Sequence, residues 1–252
     1  YIRSTTLSVY PDMSAPCHWH EDLEWIHILE GKMRYYINGK RIILQEKETL
    51  LVNARQMHYG YAYQKQDCRF ACILFHPSLF CSNEALQQKY ILPVVKNESL
   101  EYLLFSASQK PGEEVSKLLM QIVRLKEQAA PGYELEAIAL MHTLWGKLWL
   151  TGMLKPSPDA QKTQGDLAVQ KDMVSYLYQH YSEKVTLDEI AASGHVSRSK
   201  CCRVFKHYLQ QSPIDFLNAY RLKVSCSLLA STDKNITEIA FACGFNHLSY
   251  YS

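Results

Sequence analysis

The segment HWHEDLEWIHILEG, residues 18–31, brings His18, His20 and Glu24 into one short stretch. Two imidazoles and a carboxylate can hold a divalent cation such as zinc, manganese, iron or nickel. The same groups can equally form the polar wall of a pocket that binds a small molecule without transforming it. The spacing alone permits both. If the stretch is extended, positions 18, 20, 24, 26 and 28 share parity and hence one strand face, which would place the three polar groups together.

A second concentration of chemistry lies far downstream. From Ile190 to Ile214 there is no Asp or Glu, while Arg198, Lys200, Arg203, Lys206 and His207 fall within ten residues. Val204 and Phe205 supply the buried side of a helix here, so Arg198, Ser199, Lys200, Cys202 and Arg203 are free to face outward. The formal net charge of the chain is only +2, so attraction to nucleic acid must come from such a local patch. The patch sits in a repeat: LDEIAASGHVS (187–197) aligns with ITEIAFACGFN (236–246) at an offset of 49 residues. In each copy a small Ala191 or Ala240 lets two helices cross closely, and His195 or Gly244 takes a turn position that asks for positive φ. Val196 or Phe245 then anchors the turn, and Ser197 or Asn246 caps the next helix. This is the grammar of a helix-turn-helix, written twice.

The elements that must position these residues change period along the chain. At 252 residues with 47% apolar and 21% charged side chains, the chain can bury real cores and is not disordered. Residues 1 to about 80 read as short strands, among them LEWIHILEG, KMRYYING, KRIILQ, ETLLVN and CRFACILF, with an Asn-Gly hairpin signal at 38–39. Many short strands of this spacing predict a barrel or sandwich. Residues 113–128 and 133–152 then read as two helices joined by Pro131-Gly132 and hence antiparallel. KPSPDAQKTQG (155–165) reads as a linker, and helical periodicity dominates from 167 onward. Eight scattered cysteines without a Cys-x-x-Cys pair and no opening apolar segment point to a reduced, cytoplasmic protein. No apolar run approaches the roughly 20 residues that span a bilayer, so no membrane role is expected. The chain lacks an initiator Met and stops on SYYS within an apparent helix, as a trimmed fragment would.

Residues 167–252, above all SPIDFLNAYRLKVSCSLL and ITEIAFACGFNHLSYYS, resemble the DNA-binding domain of AraC/XylS-family bacterial transcription regulators. The resemblance implies a long helix, about Pro213 to Ala230, between two helix-turn-helix units that enter successive major grooves. It assigns DNA contact to Arg198, Ser199, Lys200, Arg203 and Lys206 in the first unit and to Asn246, His247 and Leu248 in the second. Cys201 departs from the family's preferred Leu. The Arg, Phe and Lys expected next in the second recognition helix do not follow Ser252, leaving Tyr250 and Tyr251 to anchor a short, frayed last turn. The upstream motif His18-x-His20-x-x-x-Glu24, followed by Gly31, resembles the first cupin motif, and ETLLVNARQMHYGY offers His58 for the second. In metal cupins the counterparts of His18, His20, Glu24 and His58 hold a divalent ion inside the barrel; sensor domains of AraC-type regulators resemble the same barrel.

The expected architecture is therefore α+β and multidomain. It comprises a cupin-like effector barrel over 1–100, a helical pair over 101–154 that provides a dimer contact, a linker over 155–166 and a double helix-turn-helix domain over 167–252, its second unit incomplete. The expected function is sequence-specific transcription regulation, as an activator answering to a small polar effector such as a sugar. The effector would lie against His18, His20, Glu24, Tyr35 and His58, with Trp25, Tyr36, Tyr59 and Tyr61 as further candidate walls. No catalytic residue and no obligatory cofactor are assigned; a divalent metal, if present, falls to His18, His20, Glu24 and His58. Partners are double-stranded DNA, a second copy of the chain and RNA polymerase. Two rival readings are a metal-dependent cupin enzyme with a helical appendage and an effector-free regulator whose barrel only dimerises. Stoichiometric metal with turnover that dies on changing His58 would mark the first, and a barrel filled with side chains the second.

Overall fold

The computed structural model describes residues 1–97, 99–106, 108–154 and 165–245. Contacts divide the chain into two compact units, Tyr1–Lys162 and Thr163–Ser252.

Among the described residues the first unit has nine strands: β1 (Ile2–Thr6), β2 (Ser14–His18), β3 (Leu23–Glu30), β4 (Lys32–Ile37), β5 (Lys40–Gln45), β6 (Thr49–Val52), β7 (His58–Ala62), β8 (Arg69–Phe75) and β9 (Tyr102–Phe105). They form a five-stranded sheet, order β1-β8-β3-β6-β9, and a four-stranded sheet, order β2-β7-β4-β5. Every pairing is antiparallel. Between β4 and β5 the chain turns at Asn38 and Gly39, with φ of 47° and 81°, the pair of positive values that a tight primed turn demands. Short helical turns α1 (Glu84–Leu86) and α2 (Leu92–Val95) precede β9, and the long helices α3 (Lys110–Gln128) and α4 (Tyr133–Leu150) follow it. The helical part thus begins later than residue 101, because 102–105 pair with β6 and complete a sheet.

Strand β3 is the spine of this unit. Its residues from Leu23 to Ile28 are all buried, because the strand is covered on both faces. Leu23 and Trp25 pack with Val115, Leu119, Ile122, Leu144 and Trp145 of α3 and α4. Ile26 and Ile28 turn the other way, among Met33, Tyr35, Leu44 and Phe70 between the sheets. Alternation along the strand decides which residues can line an interior pocket. It removes Trp25 from that role: the indole stacks on Phe105, ring centroids 6.0 Å apart, on the helix side.

The second unit is helical: α5 (Gly165–His180), α6 (Leu187–Ser193), α7 (Arg198–Leu209), α8 (Pro213–Ser231) and α9 (Ile236–Ala242). Helix α5 takes in Gly165 and Asp166, so the linker ends earlier than 166. The repeat is visible in the caps. Thr186 and Glu189 form a capping box at α6, as do Asn235 and Glu238 at α9. The turns repeat too, with Val196 donating to Ala191 O and Phe245 donating to Ala240 O, both at 3.0 Å. His195 and Gly244 hold φ of 53° and 82°. At Gly244 a Cβ would meet Tyr181 O at 2.7 Å and an Arg221 guanidinium nitrogen at 2.9 Å, so glycine is required twice over. Arg221 ties the long α8 to the loop after α5 by donating to Tyr181 O and Glu183 O, each at 2.7 Å.

Candidate functional site

In the first unit, His18, His20, Glu24 and His58 each offer one ligand atom, and the four atoms lie within 4.8 Å of one another. They converge by a route that shared parity does not describe. β2 ends at His18 and β3 begins at Leu23, so His20 sits in the bend and only Glu24 belongs to β3. What brings His18 to the cluster is its register opposite His58 across β2 and β7. A turn, not a continuous strand face, gathers the first three residues.

Each imidazole is oriented through the backbone. Nδ1 of His18, His20 and His58 lies 2.8, 3.1 and 2.7 Å from the carbonyl oxygens of Pro16, Asp22 and Gln56. A carbonyl only accepts, so each Nδ1 carries the proton and each Nε2 points inward. Glu24 Oε2 lies 3.1 Å from His20 Nε2 and 2.9 Å from His58 Nε2, while Tyr35 donates its hydroxyl to Oε1 at 3.1 Å. Burial pushes the Glu24 carboxyl up, but the three imidazoles, His58 foremost, outweigh it and hold the group well below the usual carboxylate range. At His58 burial wins over the Glu24 charge and lowers the pKa; at His20 burial is outweighed by Glu24 and the pKa is raised. A neutral His58 with its proton on Nδ1 turns a lone pair toward Glu24 Oε2. It also lies 3.2 Å from His18 Nε2. Two lone pairs at these distances repel unless a proton or a cation lies among them. This donor set therefore fits a divalent cation: three inward Nε2 atoms with backbone carbonyls behind them, and one carboxylate oxygen.

Through His18 and Glu24 the cluster borders a cavity of about 200 Å³ between the sheets, lined also by Arg3, Tyr10, Tyr35 and Cys72; His20 and His58 stand behind them and do not line it. Burial first, then the Glu24 charge, push the Cys72 thiol up, and Cys72 also hydrogen-bonds Glu24. Cys72 had no motif to announce it; only the alternation of Phe70, Cys72 and Leu74 on β8 turns it inward. Tyr59 borders the cavity, but its ring stacks on that of Tyr36 at 4.9 Å, on the face turned away from it. Tyr36 and Tyr61 do not line it: they stack at 5.7 Å, beside Tyr59, on the far face of the four-stranded sheet, because Tyr35 takes the inward position on β4. A larger cavity of about 450 Å³, lined by Ile73, Phe75, Ile122 and Met141 with Lys126 and Glu134, lies elsewhere in the unit and is apolar.

In the second unit, α7 buries Cys201, Val204, Phe205, Tyr208 and Leu209. Cys201 fills the family's leucine position at 0% exposure. Helical spacing then centres Ser199, Cys202, Arg203 and Lys206 on the outer face, with Arg198 and Lys200 on its two flanks. Both flanking cations are engaged. Asp188 of α6 pairs with Arg198 through Nε and Nη2, and Asp166 of α5 lies 2.8 Å from Lys200 Nζ. The acid-free run of α7 thus receives two carboxylates from preceding helices, which sequence inspection of the run itself could not reveal. Asn246, His247 and Leu248, with Tyr250 and Tyr251, lie outside the described residues.

The profile of the AraC-like ligand-binding domain matches residues 8–145, more than half of the chain. The chain belongs to the AraC family. A helix-turn-helix domain profile matches residues 190–252 of this AraC-family protein. It is 29% identical over 247 residues to an uncharacterized HTH-type transcriptional regulator, YdeC, of Bacillus subtilis, covering 98% of this chain and 84% of the relative. It is 24% identical to the HTH-type transcriptional activator RhaS of Salmonella paratyphi B, covering 96% of this chain and 84% of RhaS. Among solved structures, ToxT of Vibrio cholerae O395 shares the two-domain fold with a TM-score of 0.50 and 13% identity, covering 100% of this chain and 90% of ToxT. The protein is an AraC-type transcription regulator, with an effector-binding domain and a DNA-binding domain. No described helix is long and apolar enough to cross a membrane.

Proposed function

We propose that this AraC-family regulator is a cytoplasmic activator, and no enzyme, whose barrel binds a small polar effector at His18, His20, Glu24, Tyr35 and His58. The observation that carries the reading is the oriented cluster itself, bordering a cavity of about 200 Å³. That volume suits a monosaccharide or a molecule of similar size, and the hydroxyl and imidazole groups suit its polar edge. RhaS, named an activator, supports activation; RNA polymerase would then be the partner acted on. A thermal titration of the whole chain against monosaccharides and small polyols should find a ligand that raises the midpoint with the logarithm of its concentration, a stabilisation of about 2.7 kcal/mol at one hundred times Kd. His18→Ala, at the mouth of the cluster, should abolish that rise. A ligand that stabilises His18→Ala as strongly as the parent chain binds elsewhere, and the barrel is then not the effector site.

A second reading, favoured by the lone pairs facing one another, is that the four groups hold a divalent cation. His18, His20 and His58 would bind it through Nε2 and Glu24 through Oε2. Such an ion would supply a fixed positive charge to which an effector oxygen could be drawn.

We infer also that the protein acts as a homodimer on double-stranded DNA, read by Arg198, Ser199, Lys200, Arg203 and Lys206 and by Asn246, His247 and Leu248. The outer face of α4 supports self-association. Leu135 and Leu150 are 74% and 89% exposed, with the small Ala139 and Gly146 exposed between them. An antiparallel second copy would set Leu135 against Leu150 and Ala139 against Gly146. Leu135→Glu with Leu150→Glu should keep the helical content of the folded chain by circular dichroism and produce a monomer in sedimentation equilibrium. An unchanged dimer would exclude this face.

A further inference from the structure

The flank of the recognition helix carries an arrangement that the DNA-binding reading does not by itself explain. Arg198 is the first residue of α7 and Asp188 the second residue of α6. Both backbones are pinned. Thr186 and Glu189 box the start of α6, Ser197 caps α7 by accepting from Lys200 N, and the turn between them is closed by the bond from Val196 to Ala191 O. The side chains are 64% and 59% exposed, and an exposed pair of this kind adds little to stability. Its consequence is geometric.

A guanidinium has two forks of donors, one from Nε–H with Nη2–H and one from Nη1–H with Nη2–H. Asp188 accepts from the first fork, Nε and Nη2, with both of its oxygens. The second fork stays open, and its two parallel N–H groups can pair with guanine O6 and N7. The acid also offsets a local cost, since a cation at a helix N-terminus faces the positive end of the helix dipole. The Asp188 carboxyl is drawn below its usual range by the hydrogen bond from Arg198 and by its charge, so the pair stays ionised at neutral pH. Lys200, on the opposite flank, is paired with Asp166 through a single ammonium, which has no second fork to direct.

We propose that Asp188 is a positioning residue for base recognition: it holds the Arg198 guanidinium with its free fork toward the major groove, so that one base pair of the operator is read through it. The proposal rests on the assignment of Arg198 to the DNA-reading surface, and its test separates the two. Duplexes enriched from a randomised pool by the whole parent chain provide the probe, together with every single-base-pair variant of the enriched site. Asp188→Ala should lower discrimination at one base pair about tenfold, within the range one bidentate contact supplies. Affinity for an unrelated duplex should rise, because a negative charge has left the interface. A purely structural role would lower both affinities together. Asp188→Asn, which preserves shape and one acceptor oxygen, should retain part of the preference and guards against misfolding of the alanine variant. Arg198→Ala should lose preference at the same base pair, and adding Asp188→Ala to it should change nothing there. If Arg198→Ala loses preference at a base pair and Asp188→Ala and Asp188→Asn do not, the positioning role is overturned while the DNA assignment stands. If Arg198→Ala leaves every preference intact, the underlying assignment of Arg198 fails, and the proposal with it.

Discussion

Glu24→Ala should lower the stability of the first unit by about 1–3 kcal/mol, the cost of leaving buried hydrogen-bonding groups without their partner. The carboxylate is 4% exposed and accepts from Tyr35 while lying against His20 and His58. Its loss strands the Tyr35 hydroxyl and leaves His58, 1% exposed, facing His18 with nothing between them. In a unit of this size the thermal midpoint should fall on the order of 5 °C. Glu24→Gln keeps an acceptor for Tyr35 but no charge, so calorimetry should place it between the parent and the alanine variant. An alanine variant as stable as the parent would show that the cluster contributes nothing to the fold. The same measurement separates proton from cation. With a divalent ion among the four ligands, a chelator lowers the parent midpoint toward that of Glu24→Ala and leaves the variant unmoved. With protons alone, the chelator shifts neither.

How the cluster assembles explains which parts of the molecule were legible in the sequence. The two helix-turn-helix units were readable because each is local: a capping box, a small crossing residue and a positive-φ turn fall within one short repeat, so residue type alone specifies them. The identities of His18, His20, Glu24 and His58 were readable for a similar reason, each standing in a recognisable motif. Their mechanism of convergence was not. The chain bends between His18 and Leu23, and the pairing of His18 with His58 is a long-range register that no local period encodes. The same limit misplaced Trp25, whose side of β3 depends on which face the helices α3 and α4 cover. It also hid β9, a short strand separated from its partner β6 by the helical turns of 84–95.

The acids that flank α7 are the sharper case. The run from Ile190 to Ile214 contains no carboxylate, which suggests an open cationic face. Folding delivers Asp188 from α6 to one flank and Asp166 from α5 to the other. The cationic face of α7 is therefore narrower than the sequence implies, and centred on the residues between those flanks. Arg203 and Lys206 stand there, both exposed, and among the described residues neither makes an ion pair.

That narrowing leads to an unequal pair of outcomes on α7. Arg203→Ala should weaken binding to the selected operator by about 5- to 150-fold, equivalent to about 1–3 kcal/mol, and should relax preference at one or two base pairs. Lys206→Ala should weaken operator and unrelated duplex alike and flatten the log–log salt dependence by about 0.9, the signature of one lost phosphate contact. Neither side chain belongs to the buried face of α7, so the thermal midpoint should hold within about 0.5 kcal/mol in both variants, and any loss of binding is then a loss of contact. Titrations at several salt concentrations, against the operator and its base-pair variants, distinguish the two signatures. Should Arg203→Ala alter only the salt slope and leave base preference untouched, Arg203 is a backbone contact, and the reading of bases passes to the flanks held by Asp188 and Asp166.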